Sequence, residues 1–97
     1  MKFKSHPYID NLKVSIDGTK VKHFNIPCEI REVFPKEGYP LMVAVINNKF
    51  YSLPKLVLET FTGVQSNSQR LYARVKDGDH KNTHPENLEW DTNNLNS

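Results

Sequence analysis

One stretch of this sequence has the pattern of an α-helix, and the runs on either side of it are short and alternating. Ser52 is a suitable N-cap, Pro54 falls in the first turn, and Gly63 is a typical C-terminal stop. Between them, apolar residues recur at helical spacing at Leu56, Val57 and Phe61. The sequence therefore predicts one central helix over 52–63, surrounded by strands.

The N-terminal half has the alternation and the turn residues of β-hairpins. Residues 12–16 alternate apolar and polar side chains, and Asp17-Gly18 follows as a two-residue turn before residues 20–22. A second hairpin is indicated by the apolar run 41–46 and the turn residues that follow it. We expect a small antiparallel sheet over 8–51, which together with the helix makes the fold class α+β.

Size and composition restrict the class of protein. The chain has 97 residues and one cysteine, so we expect a single domain, 1–97, without an internal disulfide. The longest apolar run, 41–46, is too short to span a membrane, and the N-terminus has no apolar signal region. Cys28 is expected to be a buried or half-buried residue in a reducing, cytoplasmic setting. A net charge of +2 permits, but does not require, a nucleic-acid partner.

Candidate catalytic and metal-binding side chains are concentrated between residues 76 and 90. Two imidazoles, His80 and His84, lie among carboxylates and amides, a set able to hold a hard metal ion beside a general base. The same residue types also build turns by bonding their own backbone. The spacing of Asp77, Asp79 and Asn82 lacks the ligand register of a calcium loop.

The order of motifs resembles that of the phage HNH homing endonucleases. Lys76-Asp77-Gly78-Asp79, Asn82 and Asn87-Leu88-Glu89-Trp90 match the spacing of the HNH core. Upstream, residues 53–61 resemble the family's helix, Glu37-Gly38-Tyr39 its turn, and residues 14–21 its Val-Ser-x-x-Gly-x-Val sheet motif. The resemblance implies an N-terminal sheet, a central helix and a ββα end over 70–97. It also implies a loop braced by hydrogen bonds of Asp77 and Asp79, and a set of structural motif residues: Asp77, Gly78, Asn82, Asn87 and Trp90.

The departures from the family pattern fall on its chemistry. Arg74 and Val75 occupy the positions where the resemblance implies a metal-binding carboxylate or amide and a histidine base. Valine cannot accept a proton, and a guanidinium cannot ligate a cation. Pro54 replaces the helix histidine, and Asn96 matches the third element but is the penultimate residue, so we expect an incomplete ββα end. The resemblance thus implies a catalytically inactive scaffold without a metal cofactor, unless His80 or His84 substitutes for the lost base.

Basic residues suggest a DNA-binding surface on this scaffold, because the family grips duplex DNA with its sheet and its HNH core. The candidate nucleic-acid-binding residues are Lys20, Lys22, Lys36, Lys49, Arg70, Arg74, Lys76 and Lys81. Arg74 in place of an acid would turn a metal pocket into a phosphate pocket. Alternatively, the cluster around it pairs with nearby acids on a solvated face: Glu86, Glu89 and Asp91.

Three functions follow as hypotheses. The first is a nonenzymatic, phage-encoded protein that binds double-stranded DNA through phosphate contacts in the bacterial cytoplasm. The second is a regulator or inhibitor that binds a host protein, and the third is a weak metal-dependent nuclease. The pattern leaves the oligomeric state open. For the core we expect Val14, Ile16, Val43, Val45, Leu56, Val57, Phe61, Leu88 and Trp90.

Overall fold

The computed structural model of the chain describes residues 2–65 and 71–92. These residues form an α+β fold with antiparallel sheets and one α-helix. The fold class predicted from the sequence is confirmed. No helix among the described residues has the length and apolar character needed to cross a lipid bilayer.

The first sheet has four short strands, joined in the order β1-β2-β3-β4. Their bounds are β1 Phe3–Ser5, β2 Leu12–Ser15, β3 Val21–His23 and β4 Ile26–Pro27. Leu12, Val14 and Val21 point from one face into the core, so the alternate residues of the same strands lie on the outer face. This outer face carries Lys13 and Lys22.

The second sheet has three antiparallel strands, β5 Glu29–Val33, β6 Leu41–Ile46 and β7 Lys49–Ser52. Ala44 and Ile46 are buried on the face that packs against the helix. The N-terminal half therefore forms two sheets rather than the one that the alternation suggested. Strand alternation predicts which residues share a face, but it does not predict how strands are grouped into sheets.

Helix α1 spans Leu53–Thr62 and lies between the sheets and the C-terminal hairpin. The Ser52 hydroxyl accepts a hydrogen bond from the Lys55 N–H at 3.3 Å, which satisfies one free donor of the first turn. Gly63 ends the helix in the left-handed conformation, and its N–H donates to the Glu59 carbonyl. The helix and both of its caps are where the sequence predicts them.

The C-terminal part is a hairpin of β8 Leu71–Val75 and β9 Leu88–Thr92. A connecting loop, residues 76–87, joins the two strands and ends in the 3₁₀ turn Pro85–Asn87. Both strands pack against α1, so the hairpin and its loop are held against the helix.

The core differs in part from the predicted set. Leu56, Val57, Val14 and Leu88 are buried in it, and Phe61 and Trp90 pack half-buried against it. Residues that the prediction missed are also buried there: Leu12, Val21, Ala44, Ile46, Leu53 and Leu58.

Two core predictions do not hold. Ile16 was wrong, because β2 ends at Ser15 and the turn that follows leaves the Ile16 side chain 49% exposed. On β6 the prediction is right for Val43, which is buried, but wrong for Val45, which is half-buried. Ala44 and Ile46, on the opposite face, are buried in the main core cluster.

Candidate nucleic-acid interface

Asp77 is the centre of the hydrogen bonds that shape the connecting loop. Its Oδ1 accepts from the Asn87 amide at 3.0 Å and from the Asp79 N–H at 2.8 Å. Its Oδ2 accepts from the Asn82 amide at 3.0 Å. These donors, the Asn87 amide foremost, hold the pKa of the Asp77 carboxyl below its usual value. Gly78 supplies the positive φ that the turn requires.

Asn87 and Trp90 tie this loop to the rest of the fold. The Asn87 amide also donates to the Asn82 carbonyl at 3.0 Å, which closes the loop on itself. The Trp90 ring N–H donates to the Thr62 hydroxyl at 3.0 Å at the end of α1. Asp77, Asn82, Asn87 and Trp90 therefore take part in the hydrogen bonds of the loop and hairpin, and Gly78 lies in the turn of the loop.

The connecting loop is also attached to both sheets. The Thr83 hydroxyl, which is buried, donates to the Gly18 carbonyl at 2.7 Å in the turn between β2 and β3. His80 bonds the Glu32 carboxylate on β5 through its Nε2 atom, and the Lys81 ammonium lies 4.0 Å from the same carboxylate. Glu32 and Thr83 give no signal in the sequence, because their partners lie 48 and 65 residues away.

The two histidines of the loop are both engaged in local structure. His80 is held by Glu32. The His84 Nδ1 atom accepts the Glu86 N–H at 3.2 Å and caps the 3₁₀ turn. The Nδ1 lone pair of His84 is used by the Glu86 N–H, whereas Glu32 contacts His80 through Nε2, and a carboxylate on one ring nitrogen does not stop the other from accepting a proton.

Val75 and Arg74 lie on opposite faces of β8. Val75 pairs with Leu88 and packs half-buried against the core. Arg74 projects outward, and its guanidinium lies 2.6 Å from Glu89 and 3.4 Å from Asp91. The hydrogen bond that Arg74 donates to the Glu89 carboxylate is the main reason why the pKa of Arg74 is raised. The Tyr72 hydroxyl donates to the same Asp91 carboxylate at 3.2 Å.

These side chains do not fit a divalent metal ion at position 74. The guanidinium offers no lone pair and already occupies the carboxylates that face it. Among residues 2–65 and 71–92, no three His, Cys, Asp or Glu side chains are placed to hold a metal ion together. Pairing with nearby acids, the alternative that the sequence left open for this cluster, is what Glu89 and Asp91 provide.

The outer face of the four-stranded sheet brings three lysines together. Lys13 and Lys22 are directly opposite each other on β2 and β3, and Lys20 precedes β3 on the same side. None of the three forms a salt bridge with the described residues, although Lys20 interacts electrostatically with Asp17 in the preceding turn. Lys13 was missed in the sequence, although its position between Leu12 and Val14 on an alternating strand already placed it on the outer face.

The remaining basic candidates are spread over the surface. Lys36 and Lys49 are exposed near opposite ends of β6, so they do not form one patch. Lys76 and Lys81 belong to the connecting loop, where Lys81 lies near Glu32. Arg70 and Asn96 lie outside the described residues.

His6 is a buried residue that the sequence gave no reason to single out. Its Nδ1 atom accepts the N–H groups of Tyr8 and Ile9, both at 3.1 Å. Its Nε2 atom lies 3.0 Å from the Glu59 carboxylate on α1. His6 therefore caps the turn after β1 from a buried position and is paired with Glu59.

Comparison with known proteins supports the fold assignment. No protein-family model matches the chain, and no curated protein matches it. A solved structure described as "DNA binding and cleavage by the HNH homing endonuclease I-HmuI" matches 99% of this chain with 25% sequence identity and a TM-score of 0.61. The match covers 55% of that enzyme's chain, so this protein spans about half of its length. The protein therefore has an HNH-like fold.

Proposed function

We propose that this protein binds double-stranded DNA through phosphate contacts and does not cleave it. Its fold is that of a nuclease scaffold, and the solved structure it resembles is described as binding and cleaving DNA. The resemblance to phage enzymes suggests a phage gene whose product acts in the cytoplasm of a bacterial host.

The observation that carries this proposal is the lysine pair on the outer face of the four-stranded sheet. Lys13 and Lys22 are direct cross-strand neighbours, and like charges in that arrangement repel each other. Strands β1–β4, which the structure describes completely, contain no acidic residue to offset them. A DNA phosphate between the two ammonium groups would relieve the repulsion and release counterions.

The absence of cleavage is proposed from positions 74 and 75. Val75 packs against the core where the resemblance implies a general base, and a valine side chain takes up no proton. Arg74 stands where the resemblance implies a metal-binding carboxylate or amide, and its guanidinium is paired with the carboxylates of Glu89 and Asp91. A weak nuclease that uses His80 or His84 is the less favoured function, because Arg74 stands where the resemblance implies a metal ligand and a guanidinium cannot ligate a cation.

Fluorescence anisotropy of a labelled duplex at increasing salt tests the binding. If Lys13, Lys20 and Lys22 each contact one phosphate, a plot of log K against log salt concentration should have a slope of about −3. Lys36, Lys49, Lys76 and Lys81 would each make this slope steeper if they also contact phosphate. Failure to bind duplex DNA at low salt would contradict the proposal.

Binding to a host protein is a second candidate function, favoured by exposed aromatic side chains near the three-stranded sheet. Phe34, Tyr39 and Phe50 are 70%, 89% and 56% exposed. Exposed aromatic residues are enriched at protein interfaces. Affinity capture from a host lysate treated with nuclease, with Phe50→Ser as the control bait, tests this candidate. A host protein that binds the unaltered chain but not the variant supports this candidate. A host protein that is captured only from lysate without nuclease treatment contradicts it, because nucleic acid would then link the two proteins.

A further inference from the structure

A cleft opens beside the lysine face, where β3 and β4 meet the start of β5. Its volume is about 610 Å³, within the range of clefts that bind ligands. Lys20 and Lys22 line the cleft, and apolar contact is offered by Phe3, Pro27 and Ile30. Cys28, the one cysteine of the sequence, also lines it.

The charge of this cleft distinguishes it from three others in the structure. The cleft over the connecting loop includes Glu86, the cleft by β4 and β6 includes Glu29, and the cleft along α1 includes Glu59. Among the described residues, the lining of the cleft at Cys28 contains two lysines and no carboxylate. Its charge suits an anion.

Phe3 fixes the direction of one of these lysines. The Lys22 ammonium lies 4.5 Å from the centre of the Phe3 ring, within the range of a cation–π contact. Phe3 pairs with Ser15 on the neighbouring strand, so the ring is carried by the sheet. The ammonium is thereby placed beside the apolar surface of the cleft before any ligand binds.

We propose that one strand of DNA lies in this cleft, with its phosphates against Lys20 and Lys22 and its sugars against Pro27 and Ile30. The inference rests on the proposed function, because it names the part of the surface that the DNA backbone follows. The alternation of charged and apolar groups in the cleft matches the alternation of phosphate and deoxyribose along a strand.

Cys28 provides the test, because it is half-buried in the cleft and its thiol is a reporter of access. Burial raises the pKa of this thiol, so alkylation is slow and is compared at one fixed pH. The probe is an uncharged maleimide, which DNA does not repel. At a duplex concentration ten times the Kd, we expect alkylation to slow by about tenfold, because free protein alone reacts.

The outcomes separate this inference from the proposed function. If anisotropy shows binding but the alkylation rate of Cys28 is unchanged, the DNA does not lie in the cleft, and the proposal of DNA binding still stands. If no binding is seen, both proposals are contradicted. Equal protection by inorganic phosphate alone would mean a site for a small anion rather than for a strand, and it would overturn the inference as well.

Substitutions give a second readout that does not depend on the thiol. Lys20→Gln and Lys22→Gln should each make the salt slope shallower by about 1. Lys4→Gln is the matched control, because Lys4 lies on the same sheet but on the opposite face, over the ring of Phe61. Phe3→Leu removes the contact that holds the Lys22 ammonium, so its effect should disappear in the Lys22→Gln background. Equal changes of the salt slope in Lys4→Gln and Lys22→Gln would contradict the placement of the DNA strand in the cleft.

Discussion

The Thr83 hydroxyl donates a 2.7 Å hydrogen bond to the carbonyl oxygen of Gly18 and joins the connecting loop to the first sheet. The contact is close on the backbone side as well. A Cβ atom at Gly18 would lie 2.2 Å from the Thr83 carbonyl oxygen, and φ at Gly18 is +76°. Gly18 is thus required both by its conformation and by the approach of the loop.

Replacement of Gly18 by alanine should be far more costly than the same change at Gly38. Both glycines have positive φ, but a Cβ at Gly38 would meet no atom within 4 Å. We expect a loss of about 3 kcal/mol or more for Gly18→Ala and about 1 kcal/mol for Gly38→Ala, measured by urea unfolding. Equal losses would contradict the close approach of Thr83.

Removal of the Thr83 hydroxyl should weaken the attachment of the connecting loop to the first sheet, and valine does this with nearly the same side-chain shape as threonine. Thr83 is 2% exposed, so Thr83→Val leaves the Gly18 carbonyl without this donor in a buried place. The expected loss in the free energy of unfolding is about 1–3 kcal/mol. Thr83→Ser keeps the hydroxyl and should recover most of it. A serine variant as unstable as the valine variant would contradict the hydrogen bond as the main contribution of Thr83, because the methyl group would then contribute as much as the hydroxyl.

Asp77 should make stability depend on pH in the acid range. Its pKa in the folded state is held below 3.8, chiefly by the Asn87 amide. Its contribution to stability is therefore present above the unfolded pKa and is lost as the pH falls through the folded pKa. In acid unfolding followed by circular dichroism, Asp77→Asn should flatten this dependence below about pH 4. Superimposable pH profiles for the variant and the unaltered protein would contradict the role of Asp77.

Loss of the His6 ring should loosen the turn between β1 and β2. In His6→Ala the N–H groups of Tyr8 and Ile9 lose their shared acceptor, at a cost of about 1–3 kcal/mol. In His6→Asn the amide oxygen can take the place of the Nδ1 atom, so part of the stability should return. Thermal unfolding measures the difference. The capping role fails if asparagine is no better than alanine.

Arg74 should contribute less to DNA binding than Lys22 does. Its guanidinium already contacts Glu89 and Asp91, so it brings little net charge to a phosphate. In the salt titration, Arg74→Gln should leave the slope nearly unchanged, whereas Lys22→Gln makes it shallower by about 1. A larger effect of Arg74→Gln would mean that the hairpin face receives phosphate.

The parts of this structure that the sequence predicts are local. The helix has its cap at Ser52 and its stop at Gly63, and the strand over 41–46 is set by its own apolar run. The pairs that assemble these parts are separated by long stretches of chain, as with His6 and Glu59 or Thr83 and Gly18. No spacing rule connects such residues. Motif resemblance located the braces around Asp77, but the lysine pair became visible once the strand register was known.

DNA binding and the proposed lack of cleavage can be measured in one experiment. An end-labelled duplex is incubated with the protein at low salt in magnesium or manganese, and each sample is analysed on a native and a denaturing gel. We predict a shifted band on the native gel and full-length strands on the denaturing gel. Cleaved strands that disappear when EDTA is added would contradict the proposed lack of cleavage, and a duplex that never shifts would contradict DNA binding.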